Sequence, residues 1–227
     1  MTVSAPVQRG KNELDPRAIA PLRGCIYHLQ GAGRVGSSMR KYAEAWCVST
    51  LKRGECVHWI DGASRIDPAR ILAVFPAGEQ SSQDHLHRLF IGRGFTVHQL
   101  ATLVERLTRE VSITSSPLVV IDGPIAMHLD RQVGDHEARC LMRRILNQLR
   151  ELAGSLNVAV IIITAHKGKS KRHQNLLSLV EHEADQHLIE HSSIRRNAPL
   201  LLSHKPSGAS GVWPNHRPFV TLHQALK

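Results

Sequence analysis

Gln30-Gly31-Ala32-Gly33-Arg34-Val35-Gly36-Ser37-Ser38, "QGAGRVGSS", admits two readings that lead to different folds. Gly31, Gly33 and Gly36 match the dinucleotide fingerprint G-x-G-x-x-G. Gly31, Gly36 and Ser38 match the phosphate-binding loop G-x-x-x-x-G-K-[ST], with Ser37 in the lysine position. Either motif needs a strand before it and a helix after it. Cys25 to Leu29 reads as that strand and Ser38 to Val48 as that helix, so the flanks do not choose between them.

The distant acids discriminate better. A dinucleotide fold expects a carboxylate about twenty residues past the glycines, to hold a ribose. Asp61 is the nearest candidate, and it lies far enough along to demand a long intervening helix. A phosphate loop expects a later apolar strand that ends in Asp and positions magnesium. Leu118-Val119-Val120-Ile121-Asp122 supplies it. Around these two points the chain alternates strands with helices. Strands are read at 56 to 60, 88 to 91, 117 to 123 and 156 to 164, and helices at 96 to 107 and 137 to 153. Asp67 and Pro68 open a further helix as N-cap and first helical residue. Such alternation implies an α/β fold with a mainly parallel central sheet flanked by helices. Short strands near 186 to 190, 200 to 204 and 219 to 222 close the chain.

The order and spacing of these segments resemble the RecA/RadA recombinase family. "HWIDGASRIDPARI" (His58 to Ile71), "RGFTVHQLATLVERL" (Arg93 to Leu107), "LVVIDGPIAM" (Leu118 to Met127), "LNVAVIIITAH" (Leu156 to His166) and "SHKPSGASG" (Ser203 to Gly211) carry the resemblance. It implies a RecA-like P-loop ATPase core over residues 23 to 227, preceded by a tail at 1 to 22. It also implies a nucleotide site at Gly31, Gly33, Arg34, Gly36, Ser37, Ser38 and Asp122. Three positions depart from that family. Ser37 replaces the lysine that neutralises the β- and γ-phosphates. Ala63 stands where the family has the glutamate that orients water. Ala165 and His166 stand where an Asn-Gln pair senses the γ-phosphate.

Charge stabilisation and nucleophile positioning supply most of the catalysis in phosphoryl transfer. Losing both predicts a pseudo-ATPase with no required cofactor. The glycines, Ser38 and Asp122 leave residual ATP and magnesium binding open. So is an active DNA-dependent ATPase with a displaced cation, for which Arg34, Arg40 and Lys41 are candidates.

The chain has 227 residues, 42% of them hydrophobic, and a formal net charge of +10, which points to a polyanionic partner. Lys167, Lys169, Lys171 and Arg172 form a flexible basic loop where the family's DNA-binding loop begins, and Arg195 and Arg196 are candidates to widen the same surface. Single-stranded DNA is the favoured ligand, held by charge more than by stacking because aromatic residues are few. The resemblance further implies an active recombinase partner, a homo-oligomer or an adaptor role, with Lys205 facing a neighbour. Neither a signal peptide nor an apolar span occurs, so a cytoplasmic, nucleoid-associated or nuclear location is expected. The four cysteines read as reduced. His182, Glu183, His187 and His191 miss zincin spacing, so no metal site is assigned, and Glu105 with Arg109 reads as a helix-surface pair.

Overall fold

The computed structural model describes residues 21–76, 82–190, 200–204 and 220–221; the tail up to residue 20 lies outside them. In chain order the strands are β1 (Ile26–Gly31), β2 (Val57–Asp61), β3 (Leu89–Arg93), β4 (Leu118–Asp122), β5 (Ala159–Ala165), β6 (Gln186–Glu190), β7 (Leu200–His204) and β8 (Val220–Thr221). The helices are α1 (Arg40–Lys52), α2 (Pro68–Leu72), α3 (Ser82–His85), α4 (Val97–Thr114), α5 (Ile125–His128), α6 (Asp135–Leu156) and α7 (Lys171–Glu183).

Among the described residues eight strands join one sheet in the order β3-β2-β4-β5-β1-β6-β7-β8. The six from β3 to β6 are parallel, and β7 and β8 add antiparallel at one side. This order decides between the two readings of the glycine stretch. A dinucleotide fold places its first strand beside the second and fourth. Here β1 lies between β5 and β6, so the sheet is RecA-like and the dinucleotide reading falls.

Alternation along each parallel strand sends side chains into two separate cores. Ile26, Ile60, Val119, Ile121, Val160 and Ile162 pack under α4, α6 and α7. Tyr27, Leu29, Trp59, Val120, Ile161 and Ile163 face α1 and the Ile71–Phe75 segment. A sheet buried on both faces explains the continuous apolar runs. The helices obey the same logic. In α4, Val97, Leu100, Ala101, Val104, Leu107 and Val111 form one buried stripe, capped by Thr96, whose hydroxyl accepts from the Gln99 amide at 3.2 Å. Asp67 caps α2 by accepting from the Ala69 amide at 3.0 Å, with Pro68 at the first helical position, as the sequence suggests.

Several boundaries differ. α4 runs on to Thr114 and α6 to Leu156, each ending at a left-handed residue, Ser115 (φ 50°) and Asn157 (φ 52°). Leu156 is therefore helical rather than the start of β5, because an apolar run alone cannot separate helix from strand. Glu105 does not pair with Arg109. It bridges to Arg144 of α6, and the i,i+4 pair on α4 is Arg106 with Glu110 at 2.7 Å. Cys25, Cys47, Cys56 and Cys140 are free thiols; Cys47 alone is fully buried, and burial pushes its pKa up.

Candidate functional site

Parallel register brings the ends of four strands together. Asp61 pairs with Asp122, Asp122 with Ile163, and Gly31 with Ala165, so β2, β4, β5 and β1 all end at one edge. Open α/β sheets bind ligands at that carboxyl edge. The glycine loop leaves β1 there and is fastened to β5, since the His166 amide donates to the Gly31 carbonyl at 2.9 Å. A 3-10 turn over Arg34–Met39 then leads into α1. Gly36 is obligatory: its φ is 75°, and a β-carbon would run into the Thr164 carbonyl. Gly33, at φ 81°, is likewise confined to glycine-favoured backbone.

Val35 is a departure that the sequence does not announce. It sits at φ 58°, a left-handed conformation costly for a β-branched residue. A β-carbon on Gly123 would meet Val35 Cγ1 and, at 2.8 Å, Ala63 Cβ. Val35, Gly123 and Ala63 therefore converge over the ends of β2 and β4, through small or apolar groups where the family resemblance calls for a carboxylate.

Arg40, the first residue of α1, lies in the middle of this edge. Its Nε and Nη2 donate to the two carboxylate oxygens of Asp122, the latter at 2.9 Å to Oδ1. Arg40 is 2% exposed and Asp122 fully buried. Burial raises the Asp122 pKa, and the bonded guanidinium only partly offsets that. One turn along, Glu44 pairs with Arg70 of α2 at 3.3 Å, and burial again raises its pKa. Asp61 accepts from the backbone amides of Ala63 (3.0 Å), Arg65 (2.8 Å) and Ile66 (3.0 Å), and from Arg93 Nε at 3.1 Å. It holds the 62–66 turn and has no capacity left for a ribose. Arg34 and Lys41 are exposed, and Lys41 lies over the Tyr42 ring at 5.0 Å. Of the three candidate cations, Arg40 is the one on the acid.

The basic segment is shorter and better anchored than a flexible loop. It spans residues 166–170 only, because Ser170 caps α7, accepting from the His173 amide at 3.2 Å, so Lys171 and Arg172 are helical. Gly168 serves close approach rather than flexibility: a β-carbon there would meet the Gln174 backbone nitrogen at 2.7 Å. Lys167, Lys169 and Lys171 are exposed. Arg172 is not equivalent to them. Its side chain is 17% exposed, and Nη1 reaches the Asp130 carbonyl at 3.3 Å and the Asp135 carboxylate at 3.4 Å, tying α7 to the start of α6.

Arg131, just before α6, and Arg139 and Arg143 along it are exposed as well. The charge run at 167–172 does not point to them; the i,i+4 spacing of Arg139 and Arg143 on an amphipathic helix is the signal the sequence carries. Arg195, Arg196, Lys205 and His191 lie outside the described residues. His182 is exposed on α7, Glu183 accepts from Arg150 at 2.7 Å, and His187 is buried in β6 against His28. Among the described residues no group of three or more metal-ligating side chains occurs, and no helix is long and apolar enough to cross a membrane.

No curated protein matches the chain. A family model described as Rad51 matches residues 33–201, from inside the glycine loop to the second residue of β7. With the RecA-like strand order and a match covering most of its length, the chain belongs to the Rad51 family of RecA/RadA recombinases.

Proposed function

We propose that this Rad51-family chain is an ATP-independent DNA-binding recombinase paralogue that assists homologous recombination and repair, engaging single-stranded DNA through the turn that leads into α7. The observation that carries it is the exposure of Lys167, Lys169 and Lys171 together at the carboxyl edge of the sheet. Their alternate spacing lets successive ammonium groups follow a phosphate backbone, and a net charge of +10 adds long-range attraction. With few aromatic side chains available, binding is electrostatic and blind to base sequence. An active recombinase of the same family is the natural second partner.

The test is a fluorescence-anisotropy titration with a labelled oligonucleotide over a range of salt. Wild type should bind equally with and without ATP. Lys167→Ala with Lys169→Ala and Lys171→Ala should weaken binding roughly tenfold and flatten the log-log salt slope by about 2, at ~0.7 per single-strand phosphate contact. Arg172 is kept, so that the contact between α6 and α7 survives. Unchanged affinity in the triple variant would exclude the segment, and binding that requires ATP would exclude the silent-site reading.

A second expectation concerns turnover. Ser37, Ala63, Ala165 and His166 replace every side chain the family resemblance assigns to phosphate neutralisation, water orientation and γ-phosphate sensing. Arg40 does not act as a displaced catalytic cation in this reading, because its guanidinium is engaged by Asp122. Phosphate release with ATP, magnesium and DNA should stay at background. Multiple turnovers stimulated by DNA would restore the active-ATPase alternative.

A further inference from the structure

The family implies a nucleotide held with magnesium, and the acids at this edge do not suit such an ion. A hard divalent cation seeks unshared carboxylate oxygens, with hydroxyl, water and phosphate oxygens completing its shell. Asp122 has no unshared oxygen, since the fork of Arg40 engages both. The other buried acids nearby each meet one guanidinium nitrogen, Asp61 meeting Arg93 Nε at 3.1 Å and Glu44 meeting Arg70 Nη2 at 3.3 Å. Three carboxylates thus face three guanidinium groups, and no surplus negative charge remains to attract a divalent ion. Drawing Asp122 onto a metal would also strand a guanidinium that is 2% exposed and cannot shed its proton.

We propose that Arg40 is a resident cation standing where a working site holds its divalent metal, so that this loop takes up no metal and keeps its arrangement without nucleotide. The inference rests on the reading of the nucleotide site as silent and adds its cause. A bidentate guanidinium–carboxylate pair is geometrically specific. Placed at the first residue of α1, it fixes the end of the glycine loop to the end of β4. In a metal-dependent site a bound cation would make that link. The structural consequence is a loop with a single state, and the functional consequence is DNA binding indifferent to magnesium and nucleotide.

Manganese is the probe, because its free and bound forms are distinguished by electron paramagnetic resonance without nucleotide or DNA. Wild type should show no retained Mn2+, and its melting temperature should not respond to the ion. Arg40→Ala should acquire one Mn2+ per chain and melt higher when it is added; both gains should vanish in Arg40→Ala with Asp122→Asn. If Arg40→Ala does not fold alone, Arg40→Gln, similar in length and uncharged, makes the same comparison. Wild type that retains one Mn2+, lost on Asp122→Asn, overturns the inference. So does an Arg40 variant that gains no metal. Neither result bears on ATP turnover, which phosphate release judges separately.

Discussion

Replacing Arg40 by alanine should lower folding stability by about 3–5 kcal/mol, the usual penalty for stranding one member of a buried ion pair. Asp122 is fully buried, and without the guanidinium its carboxylate keeps the desolvation cost and loses both strong donors. The pair itself need not be a strong stabiliser. Burial holds the Asp122 pKa above its ordinary value even with Arg40 bonded to it, so the attraction does not fully offset the desolvation. The sign follows from linkage. A carboxyl whose folded pKa is raised contributes stability that is present below its unfolded pKa and lost as pH rises through the folded one. Once Asp122 is ionised the pair is therefore a burden, and Arg40→Met with Asp122→Leu should be within about 1 kcal/mol of wild type, or more stable. Urea unfolding of Arg40→Met, Asp122→Leu and their double variant closes the cycle. A single variant as stable as wild type would contradict the buried pair.

What the sequence made legible was whatever repeats locally. Strand–helix alternation, the Asp67–Pro68 start of α2 and the acid at the end of β4 all follow from periodicity or from residue chemistry over a few positions. What stayed hidden depends on partners distant in sequence. Arg40 was one of three candidate cations, and only the packing of α1 against β4 across 82 residues selects it. Glu105 has an arginine four residues on, yet it lies where α4 packs on α6 and Arg144 reaches it first. The end of the basic turn is hidden for a different reason. Lys167 to Arg172 reads as one charge run, which obscures Ser170 as an N-cap three residues before His173. The apolar spacing of Leu176, Leu177 and Val180 marks the same helix from the other side. Val35 carries no signal at all, because a β-branched residue in left-handed backbone is an outcome of the loop's closure and not a preference.

The chain should also lose stability in mild acid, mainly through His128. This side chain is fully buried at the end of α5, and its Nδ1, 2.9 Å from the Pro124 carbonyl, must carry the proton and donate it. Burial lowers its pKa to about 4, and the nearby Arg172 guanidinium adds repulsion. His58 and His173 are lowered as well, by burial first. In the unfolded chain a histidine titrates near ~6.5. A depressed folded pKa means that the contribution is complete above the unfolded value and is lost as pH falls through the folded one. For His128 the window runs from about 6.5 down to about 4, and the linked loss is on the order of 3 kcal/mol. Glu44 and Asp122, with raised pKa values, act in the opposite direction and reduce the net slope. Urea midpoints should therefore fall between pH 7 and pH 5. His128→Asn, whose amide nitrogen reaches about as far as Nδ1, keeps the bond to Pro124 and should flatten that dependence. Imidazole NMR should find His128 neutral at pH 5. A protonated His128 at that pH, or a variant with the wild-type slope, would remove His128 as the cause.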